Sequence, residues 1–201
     1  MALNFCNNNS LSAITTIPSG ISGGGLNLIS TQTASSSSSL SFTTGIDSSY
    51  KEYIFKLYNI HPQTDTKELE FNFSTDGGSN YNVTKTTTMF IAQHSENDTT
   101  TELAYNTARD LAQSTSYQRL GSDLGSDNDQ ALSGTISLFA PSDTTFVKHF
   151  IATTNMIMAY DRSVNSYVAG YANTSSAINA VDFKFNSGNI DSGVIKLYGV
   201  S

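Results

Sequence analysis

The side chains able to do chemistry are few and scattered. Three histidines, one cysteine and 17 carboxylates are spread over 201 residues. His61 precedes Pro62 at the end of an alternating apolar run, where a turn residue is expected. His94 lies in the polar stretch Gln93-His94-Ser95-Glu96. His149 alternates with phenylalanine in Phe146-Val147-Lys148-His149-Phe150, the position of a core-edge or interface histidine. A zinc or iron site needs several donors at short fixed spacing, and neither H-E-x-x-H nor C-x-x-C occurs. Cys6 has no second cysteine to pair with, which excludes an intrachain disulfide. Serine is abundant, yet no G-x-S-x-G turn presents one as a nucleophile. Gly23-Gly24-Gly25 is followed by no Lys-Ser/Thr that would complete a phosphate cradle. These absences predict no catalytic residues, no cofactor and no enzymatic activity.

Two candidate sets remain. The segment Asp123-Leu124-Gly125-Ser126-Asp127-Asn128-Asp129 offers Asp127 and Asp129 to a hard cation such as Ca²⁺, which takes oxygen ligands. The residue order of an EF-hand loop is not met, and a solvated turn is the plainer reading. Tyr105, Tyr117, Tyr167 and Tyr171 are candidate ligand or interface aromatics. A strand places Tyr167 and Tyr171, four apart, on one face. That face either packs against another subunit or stacks on a sugar.

The elements that must position these residues read as strands. Tyr53, Phe55, Leu57 and Asn59 share one face of the run Tyr50–Ile60; Ile54, Lys56, Tyr58 and Ile60 share the other. Leu40-Ser41-Phe42-Thr43 and Glu68–Ser74 also alternate, and the second closes at Asp76-Gly77-Gly78, a turn signal. From Leu132 onward, strands are expected over 132–139, 145–153, 156–160, 165–171, 178–186 and 193–200. Strands at such spacing with Gly, Asn and Ser turns indicate a β-sandwich. Phe55-Lys56-Leu57-Tyr58, Ile136-Ser137-Leu138-Phe139 and Ile195-Lys196-Leu197-Tyr198 share one shape and are expected in comparable positions of one sheet. Residues 92–130 lack a steady period and read as a long irregular insertion, with Thr101–Ala112 a short helix by propensity.

Composition agrees. Ser, Thr and Asn supply 72 of the 201 residues, charged residues only 13%, and the net charge is −7. Helical bundles need far more Ala, Glu, Lys and Leu, and a nucleic-acid module needs clustered Lys and Arg. No apolar run reaches helical membrane-spanning length. The first residues carry neither a basic group nor a signal-length apolar core, so no signal peptide is expected and synthesis is placed in a cytoplasm. Residues 1–37 are nearly uncharged and read as an extended N-terminal arm. Leu3, Phe5, Leu11, Ile14 and Ile17 are its expected assembly contacts. Residues 38–201 form the expected all-β domain, a jelly-roll or Greek-key β-sandwich.

Residues 38–201 also resemble virion structural proteins of marine tailed bacteriophages, those infecting cyanobacteria and pelagic bacteria. The resemblance rests on Ser133–Phe150, including Leu138-Phe139-Ala140-Pro141-Ser142-Asp143, on Ala169–Val181, on Ser187–Gly199, and upstream on Phe42–Tyr50 and Asn59–Pro62. It implies a non-enzymatic particle component in the capsid, tail or fibre, assembled in the host cytoplasm and located in the virion. Partners would be other virion proteins and copies of the chain itself, a homotrimer favoured, since repeated copies on a symmetric particle favour closed oligomers. The alternative is a receptor- or carbohydrate-binding module of a tail fibre that contacts host surface glycans. Neither reading involves nucleic acid or membrane insertion.

Overall fold

The computed structural model describes residues 25–201. Among them are the strands β1 (Leu26–Ser37), β2 (Leu40–Phe42), β3 (Glu52–Pro62), β4 (Leu69–Ser74), β5 (Lys85–Ser95) and β6 (Thr101–Tyr105). They continue as β7 (Gln118–Arg119), β8 (Leu132–Phe139), β9 (Lys148–Met158), β10 (Arg162–Ala172), β11 (Ala180–Phe185) and β12 (Ile190–Val200). The strands form two antiparallel sheets: an eight-stranded one, ordered β1-β12-β3-β8-β9-β10-β5-β6, and a four-stranded one, ordered β2-β11-β4-β7. The all-β sandwich expected from the sequence is thus present. The chain changes sheet at most connections, and the two hairpins β5-β6 and β9-β10 widen the larger sheet.

The sheets meet through phenylalanines. Phe42, Phe71, Phe73 and Phe183 come from the small sheet, Phe55 and Phe150 from the large one, and all are buried. Phe55 lies 5.3 Å from both Phe42 and Phe183, and Phe150 lies 5.3 Å from Phe71 and 5.5 Å from Phe73. Most of these contacts are edge-to-face, the arrangement in which a ring's positive edge meets its neighbour's negative face. The three echoing segments are adjacent strands: Phe55 sits opposite both Ile136 and Leu197.

Several boundaries differ from those read in the sequence. Residues 26–37, assigned to the arm, form β1 and pair with β12 along its length; any arm ends before Leu26. The neutral Ser/Thr run concealed this strand because its outward positions carry little apolar contrast. Leu3, Phe5, Leu11, Ile14 and Ile17 lie outside the described residues. The expected strands over 145–153 and 156–160 are one strand, β9, because Thr154 and Asn155 continue the ladder. Ile60 is buried rather than sharing the outward face of Lys56 and Tyr58. The cause is a bulge: register shifts between Leu57 and Ile60, where Asn59 adopts φ 47°. One extra residue reverses the alternation beyond it. Gly193 faces this bulge with φ 126°, and a Cβ there would lie 2.8 Å from the Asn59 carbonyl oxygen and from the Ile60 Cα.

The insertion also proves structured. Thr101–Tyr105 is β6, an edge strand rather than a helix, because its pairing with β5 outweighs local propensity. Further on, β7 pairs with β4, and Leu120 and Leu124 enter the core.

Two outcomes are expected. A chain beginning at residue 38 lacks β1 and exposes the β12 edge, so soluble yield and melting temperature should fall relative to a chain beginning at Gly25. The Asp76 turn carries an acid-sensitive element: hydrogen bonds from Ser74 and then Asn80 hold the Asp76 carboxyl down to about 2, against an ordinary 3.8. Its contribution is present above pH 4 and is lost as pH falls toward 2. In Asp76→Ala, melting temperature should depend less on pH across that window.

Candidate functional site

The outward surface of β5, β6, β9 and β10 is the main candidate. Period two fixes it: with Phe150 and Ala152 buried, His149, Ile151 and Thr153 must face out. On β10, Val168 and Ala172 point in, so Tyr167 and Tyr171 share the outward face as expected. Cross-strand register then assembles rows. Tyr105, Phe90 and Tyr167 form one; Thr88, Ala169 and Ile151 the next; Thr86, Tyr171 and His149 the third. The Phe90 and Tyr167 rings stack 4.7 Å apart at 12°, and His149 lies 6.3 Å from Tyr171. Ile151 remains 54% exposed and Leu103, on edge strand β6, 75%. A hollow of about 480 Å³ lies among Thr86, Thr88, Phe139, His149, Ile151 and Tyr171. It adjoins a second of about 560 Å³ beside exposed Phe146, with which it shares Phe139 and His149. The face is apolar and lightly framed by hydroxyls.

The four candidate tyrosines therefore separate. Tyr105, Tyr167 and Tyr171 share the face. The Tyr105 hydroxyl donates to Asp110 at 2.8 Å, a bond that raises its pKa. Tyr117 lies elsewhere, beside the outer side of the small sheet. Its hydroxyl donates to Asp182 at 3.0 Å, and Lys184 sits 4.2 Å over its ring. Burial, followed by the Asp182 charge, pushes its hydroxyl pKa up. Asp127 and Asp129 are exposed on a turn that closes through the Gln130 N–H on the Asp127 carbonyl, 2.9 Å. Among the described residues no three His, Cys, Asp or Glu side chains gather as a metal-binding group.

Buried polar groups were not anticipated. Glu68, 7% exposed, accepts from Arg109 at 2.7 Å and Arg119 at 2.9 Å. This pins the long connection to the start of β4. Lys148 is buried, and its ammonium donates to the carbonyls of Phe146 and Thr174 at 3.0 and 3.1 Å. Lys85 is equally buried, and burial brings its amine down to about 7. Both lysines flank Ala172 in one inward row; the small alanine leaves room for the two long side chains. Strand parity carried the signal, because Lys85 is in phase with Met89 and Ile91, and Lys148 with Phe150 and Ala152.

No known protein family, curated protein or solved structure matches this chain.

Removing Glu68 takes away the buried carboxylate that Arg109 and Arg119 share, while Arg109 keeps Asp123 at 3.5 Å. Glu68→Ala should cost about 2–4 kcal/mol in urea unfolding, whereas Asp129→Ala, at an exposed turn, should change stability by less than about 0.5 kcal/mol.

Proposed function

We propose that this chain is a non-enzymatic structural protein of a bacteriophage virion, which decorates the capsid or belongs to the tail and its fibres. The observation that carries the reading is the apolar outward face of β5, β6, β9 and β10. The neighbouring strand β8 turns Ser133, Thr135 and Ser137 outward and adds Phe139 at its end, so polar residues border most of the apolar face on that side. A contiguous exposed apolar patch of this kind marks an interaction surface. Phe90 and Tyr167 already use one ring face on each other, which suits burial beneath another protein surface better than a flat sugar platform.

On this reading the fold is a jelly roll with β1, β12, β3 and β8 facing β2, β11, β4 and β7, the alternation of sheets along the chain supporting it. The segment ahead of β1, with Leu3, Phe5, Leu11, Ile14 and Ile17, docks on capsid or tail. Copies of the sandwich close through the apolar face into a trimer. The resemblance of residues 38–201 to virion structural proteins supplies the particle, and assembly takes place in the host cytoplasm.

A receptor- or carbohydrate-binding tail-fibre module is the second reading, favoured by the hollow between Tyr171, His149 and Phe139. Its volume suits a small ligand.

Light scattering after size exclusion should give a trimer, and Ile151→Lys, which sets a charge in the middle of the face, should give a folded monomer. A wild-type monomer at all concentrations would overturn the oligomer. Mass spectrometry of purified particles should find the full chain but not one beginning at Gly25. Equal incorporation of both would remove the docking role of the leading segment. Binding to host glycans that is lost in Tyr171→Ala would favour the second reading.

A further inference from the structure

Lys85 and Asn72 are a buried amine and a buried side-chain carbonyl in direct contact, and neither has a role in the proposed assembly. Lys85 opens β5 in the large sheet, and Asn72 lies on β4 in the small one. Both are fully buried. A buried lysine commonly pairs with a carboxylate. The bonds made by the Lys85 amine are instead to two neutral oxygens, Asn72 Oδ1 at 2.5 Å and the Val83 carbonyl at 2.8 Å. The amide carbon of Asn72 is one C=O bond beyond that oxygen, so it lies within about 3.7 Å of the amine nitrogen.

Both partners are clamped. The Asn72 Nδ2 donates to the carbonyls of Tyr81 at 2.6 Å and Thr115 at 2.9 Å, while its Oδ1 also accepts the Phe73 N–H at 2.8 Å. The Lys85 backbone exchanges two hydrogen bonds with Ser114, at 2.8 and 3.0 Å. A fixed near-contact of this kind replaces an encounter with an intramolecular step. Burial also holds a substantial part of the amine in its neutral, nucleophilic form at neutral pH, and it keeps water from the carbonyl.

We infer that Lys85 and Asn72 condense into an intramolecular amide that joins the two sheets. The Lys85 Nζ lone pair attacks Asn72 Cγ, the bond from Cγ to Nδ2 breaks, and a new Cγ–Nζ bond forms. One proton passes from Nζ to Nδ2, which leaves as ammonia. Atoms balance without oxidant, reductant or external reactant. The product closes a covalent loop around the Asp76-Gly77-Gly78 turn, which limits the unfolded chain as other cross-links do. The inference does not rest on the virion reading and survives its failure.

Mass spectrometry of the purified full chain decides the matter. The intact mass should fall short of the sequence mass by one ammonia. A protease digest should yield a branched peptide that joins residues 72 and 85. The branch is the decisive signal, because a succinimide at another asparagine loses the same ammonia. Lys85→Arg and Asn72→Ala should each restore the sequence mass. Separate unmodified peptides for both residues in the wild-type protein would overturn the inference.

Discussion

The fold depends on one layer of phenylalanine rings between the sheets. Phe55 meets Phe42 and Phe183, and Phe150 closes on Phe71 and Phe73, so each sheet contributes rings that the other surrounds. Aromatic burial supplies the largest apolar area per residue, and edge-to-face geometry adds a preference for one relative placement. The external features follow from this layer by the two-residue period of a strand. Because Phe150 must point inward, His149 and Ile151 must point outward. The candidate interaction face is therefore the reverse side of the core, and its position was set once the core was.

The larger sheet is twice as wide as the smaller, and four strands cannot cover eight. The long connection between β5 and β8 covers part of the difference. It meets inward positions that are polar: Thr87 receives the Leu111 N–H at 2.8 Å and donates to Gln118 at 2.6 Å, and Lys85 pairs with Ser114. Buried polar groups are tolerated only when bonded, and here each bond also fixes the path of an otherwise irregular segment. The Glu68 contacts to Arg109 and Arg119 do the same at the other end. The connection is ordered by hydrogen bonds and by the buried Leu120 and Leu124, where the sandwich proper is ordered by rings.

This division explains which parts were legible in the sequence. Strands with strong apolar alternation, such as Tyr53–Leu57 and Ile195–Leu197, announce themselves, and their echo correctly placed three neighbours in one sheet. β1 was hidden because Ser and Thr fill its pattern. β6 was misread because Glu, Leu and Ala favour helix until a partner strand is present. Ile60 was placed on the wrong face because a bulge at Asn59 leaves no mark in a period-two pattern. Tyr167 and Tyr171 were rightly paired, since both lie on one strand. Tyr117 was not separable from them, since its surroundings come from β11 residues Asp182 and Lys184.

By itself, the sequence determined the all-β class, the phase of most strands and hence which side chains face in or out. Those properties are local, set by the alternation of neighbours along the chain. Only the tertiary structure decided that Tyr105, Phe90 and Tyr167 form one row, that β1 belongs to the sheet, and that Lys85 meets Asn72. Each depends on which strands are adjacent and in what register. Such pairings link residues far apart in the chain, and they are chosen by the packing of the whole core rather than by any short stretch.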